Sequence, residues 1–357
     1  MFVLDCNIKI GQYTFKRVHD VQIVKSVDLL SDTAVIKMPA SAFFDSGNKT
    51  KERKQLESEI KTGMPVSIKL SYKDVDEERE EFKGFVKHIS PKNHIVNIEC
   101  EDAVYHIRKT RINKNFKKTT LKEVLAHILD ETNKTQEDAN IKLGGNIPDV
   151  NFEKFAIKSK NGAQALKKIK DEYGLSIFLD DEGKLHAGLR MDINIGKTAN
   201  YHVQKNVVSH DLKYVKKEDV ELYVKVIGVQ KDNTKIETIV GEQTGEQRTL
   251  HFYNLSTEKE LKERGKAELD KLKYTGYRGD LTSFLIPYAT RGMGVSITDN
   301  RYPSRNGQQE GSDSNSPQSK SKTVQYFVPK VTTSFGQNGA RRKVELGAII
   351  LPKDKIG

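Results

Sequence analysis

Two adjacent carboxylate pairs, Glu101-Asp102 and Asp180-Asp181, are the residues best placed by type to do chemistry. Paired carboxylates can divide acid and base roles or hold a divalent cation. Their settings argue for quieter work. Asp180-Asp181-Glu182-Gly183 stands between two apolar runs, where Asp side chains accept hydrogen bonds from nearby backbone N–H groups in a turn. Glu101-Asp102 follows the alternating run Ile95 to Cys100 and reads as the start of a capped turn or helix. The 9 histidines are dispersed, and none forms a helical ligand pair: His88 and His94 flank a turn, while His202 and His210 lie apart on later strands. Gly196-Lys197-Thr198 has the ending of a phosphate-binding loop, but that loop needs a glycine where Met191 stands. No G-x-S-x-G elbow occurs, and neither Cys6 nor Cys100 has a histidine near it in sequence. The sequence therefore predicts no catalytic, cofactor-binding or metal-binding residue, and no enzymatic activity.

The elements that would position any such residues belong to a chain of 357 residues, enough for two or three domains. No run approaches the roughly 20 apolar residues of a membrane span. The opening Met1 to Cys6 meets Asp5 at once, unlike a signal peptide. Cys6 and Cys100 sit in alternating apolar surroundings and read as buried thiols of a reducing compartment. Sixty Lys and Arg against 49 Asp and Glu give a net charge of +11. The basic residues interleave with acidic ones, and the densest clusters, Lys49 to Lys54 and Lys114 to Lys118, are short. This predicts a solvated basic surface and no specific nucleic-acid site, since binding by charge needs a patch. The 13 Tyr and 14 Phe fall mostly at strand core positions rather than beside basic residues.

Residues 1–105 read as a β domain. Val66 to Tyr72 alternates cleanly, and Phe82 to Ile89 and Ile95 to Cys100 follow as strands. Asp74 to Glu81, almost wholly charged, predicts a solvated hairpin tip, and residues 47–62 a short exposed helix with Leu56 and Ile60 four apart. Residues 106–199 change period and form a small α+β module. The capping box Thr120 to Glu123 opens a helix with Leu121, Val124, Leu125, Ile128 and Leu129 as its apolar stripe. A second helix runs from about Asn161 to Tyr173, closed by Gly174, and the runs Leu175 to Leu179 and Lys184 to Leu189 make a hairpin. In residues 200–357 strands return, interrupted by a helix over 257–273 behind the capping box Thr257 to Glu260. The tract 303–322 is Pro, Ser, Asn, Gly and Gln rich and predicts a mobile loop.

A repeat links the two β regions. Gly63-Met64-Pro65-Val66-Ser67-Ile68 returns as Gly292-Met293-Gly294-Val295-Ser296-Ile297. Phe85 to Ile89 has its counterpart in Phe327 to Val331, and each is followed by another alternating strand. The fold class expected is mainly β with an α+β insert: two similar antiparallel β-barrel (tube-type) domains flanking the module. Val66, Ile68, Val295 and Ile297 are expected in the two cores, with Ser67 and Ser296 turned the other way.

Phe82-Lys83-Gly84-Phe85-Val86-Lys87-His88-Ile89, Ile98-Glu99-Cys100-Glu101-Asp102, Gly292 to Asp299, Tyr302-Pro303 and Phe335 to Gly347 resemble phage baseplate hub proteins. These are the late control protein D-like family and the hub part of type VI secretion spike proteins. The chain departs from the pattern by its polar tract after Tyr302-Pro303 and by its charged segment at 40–62. It also ends at Gly357 without a glycine-repeat or lysozyme-like extension, so any needle or cell-wall enzyme is expected on another chain. The resemblance implies a structural role in a virion tail or a cytoplasmic injection apparatus. It implies a homotrimer whose two barrels per chain alternate in a pseudo-sixfold ring, joining a hexameric tail tube to a trimeric spike. Its partners would be the tube protein, the spike protein and other baseplate proteins. Readings as a tail-associated cell-wall hydrolase or a nucleic-acid-binding barrel compete with it.

Overall fold

Period-two patterning governs the first β region of the computed structural model, which describes residues 3–45, 51–75, 78–145, 147–188, 196–230, 234–253, 257–306 and 324–350. In order come β1 (Leu4–Ile10), β2 (Tyr13–Phe15), β3 (Asp20–Ser26), β4 (Thr33–Pro39), β5 (Ser41–Asp45), β6 (Lys51–Gln55), the one-turn helix α1 (Leu56–Glu59), β7 (Pro65–Tyr72), β8 (Arg79–Lys92) and β9 (Ile95–Glu101). Inward positions carry Ile8, Ile23, Ile36, Ile68 and Ile98, all buried in one core. Each such side chain contributes about 1.5–3 kcal/mol on burial. Of the exposed helix expected over 47–62, the described residues keep only the single turn α1, Leu56–Glu59. Strands β5 and β6 pair there, and Leu56 and Ile60 are fully buried. One helical turn already brings residues four apart to one face, so their spacing did not require a longer helix.

The module follows with α2 (Val104–Lys109), β10 (Arg111–Thr120), α3 (Leu121–Thr135), β11 (Lys142–Leu143), β12 (Asn151–Asn161), α4 (Gly162–Tyr173), β13 (Ser176–Leu179) and β14 (Lys184–Gly188). The helices start where local chemistry says they should. Thr120 and Glu123 form a reciprocal capping box at α3, and Asn161 and Gln164 do the same at α4. Gly174 ends α4 with φ of 61°, the left-handed conformation that favours glycine. Leu121, Val124, Leu125 and Ile128 from α3 meet Leu166 and Ile169 from α4 in a second core.

The second β region contains β15 (Thr198–His202), β16 (Val207–His210), β17 (Lys213–Val215), β18 (Leu222–Val229), β19 (Lys235–Val240), β20 (Glu246–Tyr253), α5 (Glu258–Leu272), β21 (Gly276–Ser283), β22 (Gly294–Thr298), β23 (Gln325–Phe327), β24 (Lys330–Gly336) and β25 (Gly339–Leu346). Helix α5 lies on the small sheet β19-β18-β20, where a Cβ on Gly265 would stand 2.6 Å from Val226. Pro303–Arg305 forms one 3-10 turn, and the tract expected to be a mobile loop lies outside the described residues from 307 on.

The fold is mainly β with an α+β insert, as expected, but its sheets do not close into barrels. The largest is one 12-stranded sheet in the order β16-β21-β25-β24-β3-β4-β9-β8-β7-β1-β2, with β17 also on β21. The edge of β3 that a closed barrel would satisfy within the first region pairs instead with β24 of the second, from Ser26↔Lys330 to Asp20↔Gly336. The repeated β units are thus fused through their backbones.

Candidate functional site

The repeat survives as geometry. Gly63 has φ of 92° and Gly292 of 79°, a region other residues resist. Gly63 N donates to Val86 O at 2.8 Å, and Gly292 N to Val328 O at 2.9 Å. In return, Val86 N donates to Met64 O and Val328 N to Met293 O, both at 2.9 Å. Even the thioethers agree, since Met64 Sδ accepts from Lys61 N and Met293 Sδ from Thr290 N, each at 3.4 Å. Pro65 then faces Phe85 as Gly294 faces Phe327. Val66, Ile68, Val295 and Ile297 are all buried.

The strand order agrees as well. β3-β4-β9-β8-β7 in the first region matches β16-β21-β25-β24 and then β23-β22 in the second. Strand β8 is continuous where β23 and β24 are two pieces, and the break falls at Pro329. Its counterpart Lys87 sits at the register shift between Val86 and His88. Proline lacks the N–H of a ladder bond and is accepted where a bulge has already interrupted pairing. The copies differ at one flank: β1 runs antiparallel to β7, whereas β15 runs parallel to β22. Alternation turns Ser67 and Ser296 away from the apolar face. Ser296 is nonetheless buried, because β15 sets Asn200 against it, with 2.6 Å between Ser296 Oγ and Asn200 Oδ1.

Beside the second copy lies a buried ionic junction among all three regions. Arg291, 1% exposed, donates to Asp32 Oδ2 at 2.7 Å and to Asp181 Oδ1 at 2.9 Å, and also reaches the Leu179 carbonyl. Lys25 Nζ meets Asp181 Oδ1 at 2.7 Å, and the Tyr288 hydroxyl donates to Asp181 Oδ2 at 2.8 Å. Asp102 accepts from Asp32 N at 2.8 Å and from Val104 N at 2.9 Å. Two cations, Lys25 and Arg291, thus face three carboxylates, Asp32, Asp102 and Asp181. Burial opposes ionisation of Asp181, but Lys25 and Arg291 hold it well below the usual carboxylate range. Burial, reinforced by the charge of Asp32, pushes Asp102 well above that range. Burial likewise lifts Asp32 to about 6, with Arg291 and Lys25 opposing it. Both members of the Asp32–Asp102 pair are thus shifted toward the protonated form, which eases the excess of negative charge beside Lys25 and Arg291.

A second buried pair lies close by. Arg342 grips Glu81 through Nη2–Oε1 at 2.7 Å and Nη1–Oε2 at 3.2 Å, with both side chains 2% exposed or less. The remaining Arg342 donors reach Thr333 Oγ1 and the Leu285 and Ala289 carbonyls. The end of the charged tract Asp74 to Glu81 is therefore core, not a solvated tip. Tyr72 hydroxyl adds a further tie, donating to Ala340 O at 3.1 Å and accepting from Leu285 N at 3.2 Å.

The four carboxylates singled out by sequence fall into these structural roles. Asp180 Oδ1 accepts from Glu182 N and Lys184 N, both at 2.9 Å, as turn chemistry predicts, while Oδ2 stands 2.8 Å from His186 Nε2. Asp181 leaves its neighbour for the junction. Glu101 is fully buried, held by Arg108 and by Ser31 Oγ at 2.9 Å; burial opposes its charge but Arg108 keeps its pKa low. Cys6 and Cys100 are buried free thiols, pushed by burial up to about 11 and about 12. Such thiols are poor nucleophiles at neutral pH. The sequence reading missed Lys25, Asp32, Glu81, Arg291 and Arg342. A parity signal existed for two of them: Lys25 shares a face with Val21 and Ile23, and Arg342 with Ala340 and Val344.

This architecture is that of phage tail proteins and a related secretion-system component. The chain is similar to the 43 kDa tail protein of prophage MuSo2 from Shewanella oneidensis, with TM-score 0.58 and 14% identity over 98% of this chain and 100% of that one. It is similar to the tail protein from Neisseria meningitidis, with TM-score 0.56 and 13% identity over 96% of each chain. It also resembles a component of the type VI secretion system of E. coli, with TM-score 0.50 and 11% identity over 97% of this chain and 77% of that one. No family model and no curated protein matches it in sequence. Among the described residues no helix is long and apolar enough to cross a membrane.

Proposed function

We propose that this chain is a structural hub subunit of a phage-tail baseplate, or of the equivalent hub of a contractile injection machine. Three copies form a ring in which the two repeated β units alternate. The observation that carries this reading is the repeated strand junction at Gly63 and Gly292, equivalent in φ, hydrogen bonds and register. Three chains with two like units offer six like surfaces to a hexameric tail tube. The flank where β1 and β15 run oppositely distinguishes the units and offers threefold contacts to a trimeric spike. Residues 1–105, 106–199 and 200–357 act as domains, and the middle one, with helix 257–273, stands outside the ring to meet other baseplate proteins. The chain works in the virion tail or the cytoplasmic apparatus through interfaces, and we assign it no catalysis.

Light scattering of the chain co-expressed with its tube and spike partners tests the proposal. Three copies per complex are expected, and a stable monomer that joins neither partner overturns it. The hydrolase reading makes the opposite claim, that muralytic activity of the purified chain falls on substitution of Glu101, Asp102, Asp180 or Asp181.

A further inference from the structure

The basic cluster Lys114 to Lys118 lies on β10, which among the described residues pairs only with β12, so the two strands make a ribbon of their own. With 10 and 11 residues, the strands span roughly 35 Å at about 3.3 Å per residue. β10 exposes Arg111, Lys114, Lys117 and Lys118, and β12 exposes Lys154, Lys158 and Lys160. The single carboxylate of either strand is Glu153. Lys117 and Lys154 are direct cross-strand partners, a placement that costs stability because like charges directly opposed repel. None of these seven cations has an ion-pair partner among the described residues, whereas other strand lysines do, as in Lys225–Glu237 and Lys343–Asp280. Neither outer edge of the ribbon pairs with another strand among the described residues.

These features select one kind of occupant. An open edge invites an added strand, and lysines along it repel every strand except one that brings carboxylates. The same ribbon on a second copy of this chain is disfavoured by the same repulsion between lysines. Nucleic acid fits less well. The ribbon's aromatics, Phe116, Phe152 and Phe155, meet in the module's core and offer no stacking platform, and one arginine among seven cations is sparse for gripping phosphate. We propose that the β10–β12 ribbon is a docking strip for an acidic, extended segment of another protein, which adds to a ribbon edge as a strand and sets its carboxylates against these lysines. The class of partner rests on the hub reading, but the ribbon's charge and open edges do not.

A synthetic peptide of about ten residues alternating Glu and Thr is a sufficient probe, titrated onto the full chain at about 0.1 M salt. Binding should weaken by roughly tenfold in the double variant Lys117→Gln/Lys154→Gln. It should change by less than about twofold in Lys259→Gln/Lys266→Gln, which removes the same charge from exposed positions of α5. The peptide should also slow amide hydrogen exchange in β10 or β12. Equal loss in both variants, no slowing of exchange, or no binding overturns the proposal. So does duplex DNA that binds more tightly than the peptide and is lost in the ribbon variant alone. Copy number in the co-expressed complex is measured separately, so failure here leaves the hub reading standing.

Discussion

At the scale of single residues, the buried cations are the most consequential feature. Arg291 and Arg342 are each 1% exposed; Arg291 donates to Asp32, Asp181 and the Leu179 carbonyl, and Arg342 to Glu81 and to the Leu285 and Ala289 carbonyls. Removing one partner of such a pair strands the other charge in a medium that cannot solvate it, at about 3–5 kcal/mol. Arg342→Ala should therefore lower the urea midpoint strongly, while Arg342→Ala with Glu81→Ala should recover part of the loss. No recovery in that double variant would mean that the carbonyl contacts, not the ion pair, carry the cost. The Asp32–Asp102 pair adds a pH signature. Its pKa values are raised by burial, so the folded chain keeps a proton that the unfolded chain releases. That contribution to stability is fully present below the unfolded carboxylate pKa near 4 and is lost as pH rises through the folded values, about 6 for Asp32. Asp181, depressed by Lys25 and Arg291, works the other way, favouring the fold above about 4 and less as pH falls. The difference in unfolding free energy between wild type and Asp32→Asn isolates the first effect, and it should decline between about pH 4 and 6. A flat or rising difference would show that the pair holds no extra proton.

At the scale of elements, legibility followed range. The starts of α3 and α5 were readable because a capping box is a signal spanning four residues, and both boxes form; α4 was readable from its apolar face and Gly174, while its own box at Asn161 and Gln164 went unread. The repeat was readable because glycine at a left-handed position cannot be replaced without strain. The junction was not, because it joins Asp181 to Lys25 across 156 positions and to Arg291 across 110, and nothing local marks either pairing. Closure failed as an expectation for a like reason, since the choice of β24 over a partner within its own region is invisible in β3 itself. Equivalence of the two glycines makes a paired prediction. Gly63→Ala and Gly292→Ala should each destabilise by about 1 kcal/mol or more, and by similar amounts, because both backbones lie near φ of +80 to +90°. Equilibrium unfolding in urea decides this, and a large cost at only one position would mean that the copies have diverged in backbone strain. Pro329→Lys, which installs the residue of the matching position in β8, should change stability by less than about 1 kcal/mol, because the ladder is already interrupted there.

At the scale of the whole molecule, the question is what makes three cores behave as one body. The β regions share backbone pairing through β3 and β24, which no side-chain substitution easily undoes. Among the described residues the module has no such backbone link in the large sheet, and its α3–α4 core takes in Val229 of β18 with Leu30 and Tyr253 packed against it. Its ties include Asp181, which reaches Lys25 in β3 and both Tyr288 and Arg291 ahead of β22, and a small apolar contact of Phe178 with Val27 and Phe327. Asp181 thus sits where a single side chain couples the insert to both β units. Asp181→Ala leaves Lys25 and Arg291 with one fewer counter-charge and removes an acceptor from Tyr288, so the penalty falls on the contact rather than on any core. Calorimetry should show this as a change in cooperativity: one transition in the wild type, and in the variant an earlier one for the module followed by one for the fused sheet. Amide exchange should accelerate in α3 and α4 and leave β4, β9 and β25 protected. A single transition at an unchanged midpoint would mean that the apolar contacts of Phe178 and of Val229, Leu30 and Tyr253 suffice to dock the module, and that the buried charges set its orientation without holding it.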